Sequence, residues 1–172
     1  MLKLNRTFFM LLLFIGSVVA QTPPPWLRLA PAGAGYSVML PGKAEEQTVS
    51  NDRFSATLYT LTTKNGSSPR VIYLVRVGEY TSTVKVDPQV KLPADRDSFI
   101  QGLPGMKLLE SHDITLDGRS GIELTGESDT TTVTARFYVK GNRVYQLAAV
   151  VFKGMDEKEN VMKFFDSFAF VD

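Results

Sequence analysis

His112 is the single histidine of the chain and the first place to look for acid–base or nucleophilic chemistry. A Ser-His-Asp arrangement would have to use it, with one of several serines and with Asp113 or Asp117. No Gly-x-Ser-x-Gly elbow presents such a serine, and the residues around His112 read as a strand. It is therefore expected to be an ordinary, partly exposed strand histidine. With one histidine and no cysteine, a zinc site of nitrogen and sulfur ligands, a thiol nucleophile and an iron–sulfur cluster are excluded. Asp95-Arg96-Asp97 offers carboxylates to a divalent cation, but the interposed arginine and a predicted helix start favour N-terminal capping. Glu127-Ser128-Asp129 and Asp117-Gly118 lack the repeated acidic spacing of a calcium loop, and no glycine-rich phosphate loop is present. No metal and no cofactor is expected. Paired carboxylates for hydrolysis are a matter of spatial spacing, so a hydrolase using carboxylates or His112 stands as the alternative to a non-enzymatic protein.

Arg136, Tyr138 and Tyr145 form the remaining constellation. They fall on one face of a predicted hairpin. If a helix covers that face incompletely, they would line a shallow groove for an anion or a peptide. Otherwise the tyrosines pair across the strands and Arg136 meets an acid such as Glu123.

The hairpin that must position them spans residues 131–139 and 143–152, rich in Val, Thr, Phe and Tyr. Gly141-Asn142 between the runs suits a two-residue turn, since both residues tolerate φ > 0. Lys140 opposite Arg143 then sets Tyr138 against Tyr145, Arg136 against Leu147 and Val133 against Val150. One face carries Val133, Ala135, Phe137, Val139, Val144, Gln146, Ala148, Val150 and Phe152, is nearly all apolar, and is expected to meet the main core. The face of Arg136, Tyr138, Tyr145, Leu147 and Ala149 is too apolar to be freely solvated, so the hairpin should be central in a larger sheet.

Further strands are predicted over residues 26–30, 36–40, 47–50, 54–63, 70–80, 106–116 and 119–127, with a hairpin turn at Asp117-Gly118. Trp26, the single tryptophan, is expected to be a core anchor at a strand end. Residues 81–92 contain Pro88 and read as a surface loop, followed by a helix over 93–103. A C-terminal amphipathic helix is predicted over 156–166, with capping-box spacing between Asp156 and Glu159 and a stripe of Val161, Met162, Phe165 and Phe168. A last short strand is predicted over 168–171. The order predicts an α+β protein with an antiparallel sheet flanked by helices.

Residues 1–20 have the pattern of a signal peptide: basic Lys3 and Arg6, an apolar run over 8–15, and Val18-Val19-Ala20 before a cleavage point at Gln21. Residues 21–25 form a proline-rich tether and 26–172 a single domain. Without residues 1–20 the chain carries 17 basic and 18 acidic residues, no basis for a nucleic-acid partner. The expected location is periplasmic or extracellular, with no membrane span left after cleavage.

Two segments resemble a known family. The first is Gly35-Tyr36-Ser37-Val38-Met39-Leu40-Pro41-Gly42-Lys43. The second is Ala135-Arg136-Phe137-Tyr138-Val139 with Gly141-Asn142-Arg143-Val144-Tyr145-Gln146-Leu147 and Phe164-Phe165-Asp166-Ser167-Phe168. Together they resemble small exported bacterial proteins of the PsbP-like superfamily. The resemblance implies an α/β/α sandwich over most of residues 26–171. The tryptophan typical of the photosystem members after the early-strand proline is absent, since Pro41 precedes Gly42-Lys43-Ala44. The resemblance carries over no functional residue. The signal peptide and the missing catalytic set point to a binding or envelope-accessory module with an unknown protein or small-molecule partner in the cell envelope.

Overall fold

The computed structural model describes residues 25–171. The signal-peptide segment and most of the tether lie outside the described residues. In chain order the elements begin with β1 (Leu27–Leu29), β2 (Tyr36–Leu40), β3 (Glu45–Asn51), β4 (Phe54–Asn65) and β5 (Ser68–Tyr80). They continue with α1 (Pro88–Gln101), β6 (Lys107–Leu116), β7 (Arg119–Glu127), β8 (Thr131–Lys140), β9 (Arg143–Phe152), α2 (Lys158–Asp166) and β10 (Ala169–Phe170).

Seven strands form one antiparallel sheet in the order β3-β4-β5-β9-β8-β7-β6. The β8–β9 hairpin is internal, as its two apolar faces require. Its register sets Lys140 against Arg143, Tyr138 against Tyr145 and Val133 against Val150. The turn differs in one respect from expectation. Gly141 alone has positive φ, at 64°, so the geometry is of the II′ kind, with glycine needed only at the first central position. The Asn142 amide instead donates to the Tyr80 carbonyl and ties the turn to the end of β5. At Asp117-Gly118 both residues have positive φ, as a I′ turn needs.

β1, β2 and β10 form a separate three-stranded sheet with β2 in the middle. With α2 it covers one face of the large sheet; α1 covers the other. The face of Val133, Ala135, Phe137, Val139, Val144 and Ala148 meets α1 through Leu92, Phe99 and Ile100. The opposite face meets the larger core, where Tyr138, Tyr145, Leu147 and Ala149 pack with Tyr36, Val38, Tyr73, Phe164 and Phe168. This corrects the expectation that the first face would meet the main core. Tyr36 of β2, Phe164 and Phe165 of α2 and Phe168 after it bring large aromatic side chains to this cluster. Trp26 is an anchor of this larger core, edge-on to Tyr73 at 6.5 Å, with the Lys163 ammonium 4.4 Å from its ring.

Two helix readings are corrected. α1 begins at Pro88, inside the predicted loop, because proline fits the first helical position, where its missing N–H costs nothing. The Asp87 side chain caps it by accepting from the Gln89 N–H at 2.9 Å. Asp95-Arg96-Asp97 is therefore mid-helix and caps nothing: Asp95 pairs with Lys91 one turn earlier and Asp97 with Arg96. In α2 the N-cap residue is Glu157, with no side-chain capping bond, so Asp156 and Glu159 form no capping box. Phe164 and Phe165 are its buried residues, and Met162 faces solvent, 52% exposed.

Candidate functional site

Arg136, Tyr138 and Tyr145 do share a face, but they do not open onto one groove. Tyr138 is 4% and Tyr145 1% exposed. The Tyr138 ring stacks on Phe168 at 5.6 Å and 6°, and Phe170 closes edge-on against both tyrosines. The Tyr145 hydroxyl donates to the Ala34 carbonyl at 3.1 Å. Burial pushes both phenols above their ordinary range, so both stay protonated.

Arg136 lies at the edge of this aromatic layer. Its Nε donates to Glu123, its register partner on β7, at 2.5 Å, and its guanidinium sits 4.9 Å over the Phe165 ring. Asp166 lies 3.8 Å away. The arginine's charge is thus met on two sides.

Beyond Arg136, the start of α2 stands off the sheet and leaves a groove of about 430 Å³. Thr125, Thr132 and Thr134 line its sheet side, and Met155, Val161 and Met162 its helix side. The Glu157 side chain, only 4% exposed, is turned into the groove wall, where it pairs with Arg70 and accepts from the Asn160 amide at 2.9 Å. Glu157 thus exchanges a cap bond for an ion pair that joins α2 to β5. Sequence reasoning missed this pair. Its only sequence signal is an arginine opening the apolar run of β5 and an acid at a helix start.

His112 stands opposite Glu123 on β6, with its Nε2 3.5 Å from the carboxylate and its side chain 49% exposed. It continues a row His112–Glu123–Arg136 across three strands. Among the described residues no serine hydroxyl hydrogen-bonds the imidazole, and no group of three or more acidic or histidine side chains is placed to hold a metal ion. No helix among the described residues is long and apolar enough to cross a membrane.

The seven-stranded antiparallel sheet, with α1 on one face and α2 and the small sheet on the other, is an α+β fold of the PsbP-like type. The solution structure of cyanobacterial PsbP (CyanoP) from Synechocystis sp. PCC 6803 shares it, at a TM-score of 0.56 over 91% of this chain and 98% of that one, with 12% sequence identity. Two crystal structures align more loosely. One is a protein of unknown function from Pseudomonas aeruginosa, PA94, a putative regulator (TM-score 0.48, 12% identity, 82% and 92% covered). The other is LpqN, involved in cell envelope biogenesis of Mycobacterium tuberculosis (TM-score 0.44, 18% identity, 77% and 86% covered). No family model matches the sequence, and no curated protein matches it.

Proposed function

We propose that residues 26–172 form an exported domain that acts in the cell envelope by binding rather than by turnover, with residues 1–20 removed after Ala20. The ligand site is the groove between α2 and β7–β8, with Arg136 at its end; Tyr138 and Tyr145 are not part of it. The observation that carries this reading is the groove's two-sided lining: three threonines of the sheet lie across from Val161 and Met162 of α2 and Met155 just before it. Hydroxyls supply adaptable hydrogen bonds, and methionine side chains adapt their shape to a partner. Because Glu123 and Asp166 already meet Arg136, a free anion would have to displace them. The fitting partner is instead a protein segment or small molecule with one apolar and one hydrogen-bonding edge.

The test is capture from the envelope of the producing cell by the purified protein and by Met162→Asp, an exposed position whose change leaves the core untouched. A partner retained by the wild type and lost by Met162→Asp supports the groove. A partner held equally by both places binding elsewhere. Hydrolytic turnover abolished by replacing His112 or one carboxylate overturns the non-enzymatic reading.

A further inference from the structure

A second cavity, of about 300 Å³, lies at the other wing of the large sheet, beneath residues 31–34. That loop is held down by two side chains of β9. Arg143 donates to the Gly33 carbonyl at 2.7 Å and to Glu79 at 3.1 Å, and Tyr145 donates to the Ala34 carbonyl. Gly35, with φ of 71°, admits both: a Cβ there would stand 3.2 Å from the Arg143 Nη1 and 3.2 Å from the Tyr145 hydroxyl. Tyr36, Tyr59 and Glu46 complete the cavity wall, with Glu46 directly opposite Tyr59 in the β3–β4 register.

One buried group in this wall lacks a partner, and one exposed carboxylate lacks a cation. The Tyr36 side chain is fully buried and its hydroxyl has no hydrogen-bond partner, an arrangement that is unfavourable if nothing fills it. Burial first, and then the neighbouring Tyr59, Tyr145 and Glu46 groups, push this phenol well above its ordinary range, so it keeps its proton and offers both a donor and an acceptor. Glu46 forms no ion pair among the described residues, whereas Glu79 and Arg143 neutralise each other. The cavity therefore keeps one net negative charge beside two phenol rings.

We propose that this cavity binds the protonated amino group of a small alkylamine or of a lysine side chain. The ammonium donates to the Glu46 carboxylate and to the Tyr36 phenol oxygen. An anion would meet Glu46 and Glu79. A divalent cation would find too few oxygen ligands, since Glu79 is held by Arg143.

The test is a titration of the purified protein, followed by amide resonances, with n-butylammonium, 1-butanol and butyrate at equal ionic strength. Butylammonium alone is expected to give saturable shifts at Tyr36, Glu46 and Tyr59. Glu46→Gln should weaken binding about tenfold or more, consistent with loss of a charged hydrogen bond. Tyr36→Phe should weaken it about threefold to tenfold while leaving thermal stability unchanged or raised, because the hydroxyl it removes has no partner in the free protein. Shifts of the same size with butanol or butyrate, no saturation with butylammonium, or undiminished binding by Tyr36→Phe would overturn the proposal. Repeating the titration with Nα-acetyl-lysine amide separates the two sources. Binding admits lysine side chains; failure, with butylammonium still bound, confines the site to free amines.

Discussion

Phe168→Ala tests whether Tyr138 and Tyr145 belong to the core or to an open surface. Phe168 is 5% exposed and lies at the centre of the aromatic layer. Its ring stacks on Tyr36 at 5.8 Å and on Tyr138 at 5.6 Å, and meets Tyr145 at 6.1 Å and Phe170 at 5.3 Å. Removing a buried phenylalanine costs about 3–5 kcal/mol, through lost burial and the cavity left behind. Aromatic pairs contribute about 0.5–1.5 kcal/mol each beyond burial, but these are not additive around one ring, so about 4 kcal/mol is the expected loss. For a protein of this size that is a fall in Tm of roughly 8–16 °C. Urea unfolding followed by near-ultraviolet circular dichroism measures both the stability and the tyrosine environment. Phe168→Leu, which keeps most of the volume, should cost less than about 1.5 kcal/mol, and Met162→Ala within about 0.5 kcal/mol. A loss under about 1 kcal/mol for Phe168→Ala would refute the reasoning, because it would mean that the tyrosines are not covered as described.

Gly121→Ala should destabilise by about 3 kcal/mol or more in the same urea assay, since its Cβ would lie 2.6 Å from the Phe137 carbonyl oxygen and 2.5 Å from the Tyr138 ring. Arg70→Ala strands the Glu157 carboxylate, 4% exposed, without its cation; with Arg70 itself 38% exposed, the expected cost is about 1–3 kcal/mol. Adding Glu157→Gln to that variant should recover part of it, which a double-mutant cycle measures. Tyr36, Tyr59, Tyr73, Tyr138 and Tyr145 all have phenols raised above 10 by burial. Unfolded phenols lose protons near pH 10 while the folded ones keep theirs, so stability is intact below that pH and falls as pH rises above it. Absorbance at alkaline pH should then show these tyrosines ionising together with unfolding; independent ionisation near pH 10 in the native state would count against their burial.

The β8–β9 hairpin was legible in register because alternation and a Gly-Asn turn fix it locally, and its two apolar faces announced an internal position. What covers those faces was less legible. β1 and β10 have three and two residues, too few for periodicity to show that they pair with β2 rather than with the large sheet. α1 was misplaced because Pro88 and Pro93 resemble loop punctuation, whereas Pro88 opens the helix and Pro93 is tolerated inside it while Leu92 is buried. At the site, the partner of Arg136 was readable as Glu123 because cross-strand neighbours follow from register. The roofing of Tyr138 and Tyr145 by Phe168 and Phe170 was not, because it depends on where the chain returns after α2. The Arg70–Glu157 pair and the Tyr36–Glu46 cavity join residues far apart in sequence, and no local pattern marks such meetings.

β2 lies between β1 and β10, so the small sheet is closed by a strand that follows α2, the last strand among the described residues. A polypeptide emerging from a ribosome or a translocation channel with its N-terminus leading cannot complete this layer early. Until residues 164–170 arrive, Tyr36, Tyr73, Tyr138 and Tyr145 lack Phe164, Phe168 and Phe170 against them. The large sheet is itself held by a distant pairing of β5 with β9, which is slow to form. Both layers on this face of the large sheet therefore wait for contacts between residues far apart in the chain. A polypeptide cut just before Phe164 should be a sticky, protease-sensitive species, because those tyrosines are then left without their aromatic cover.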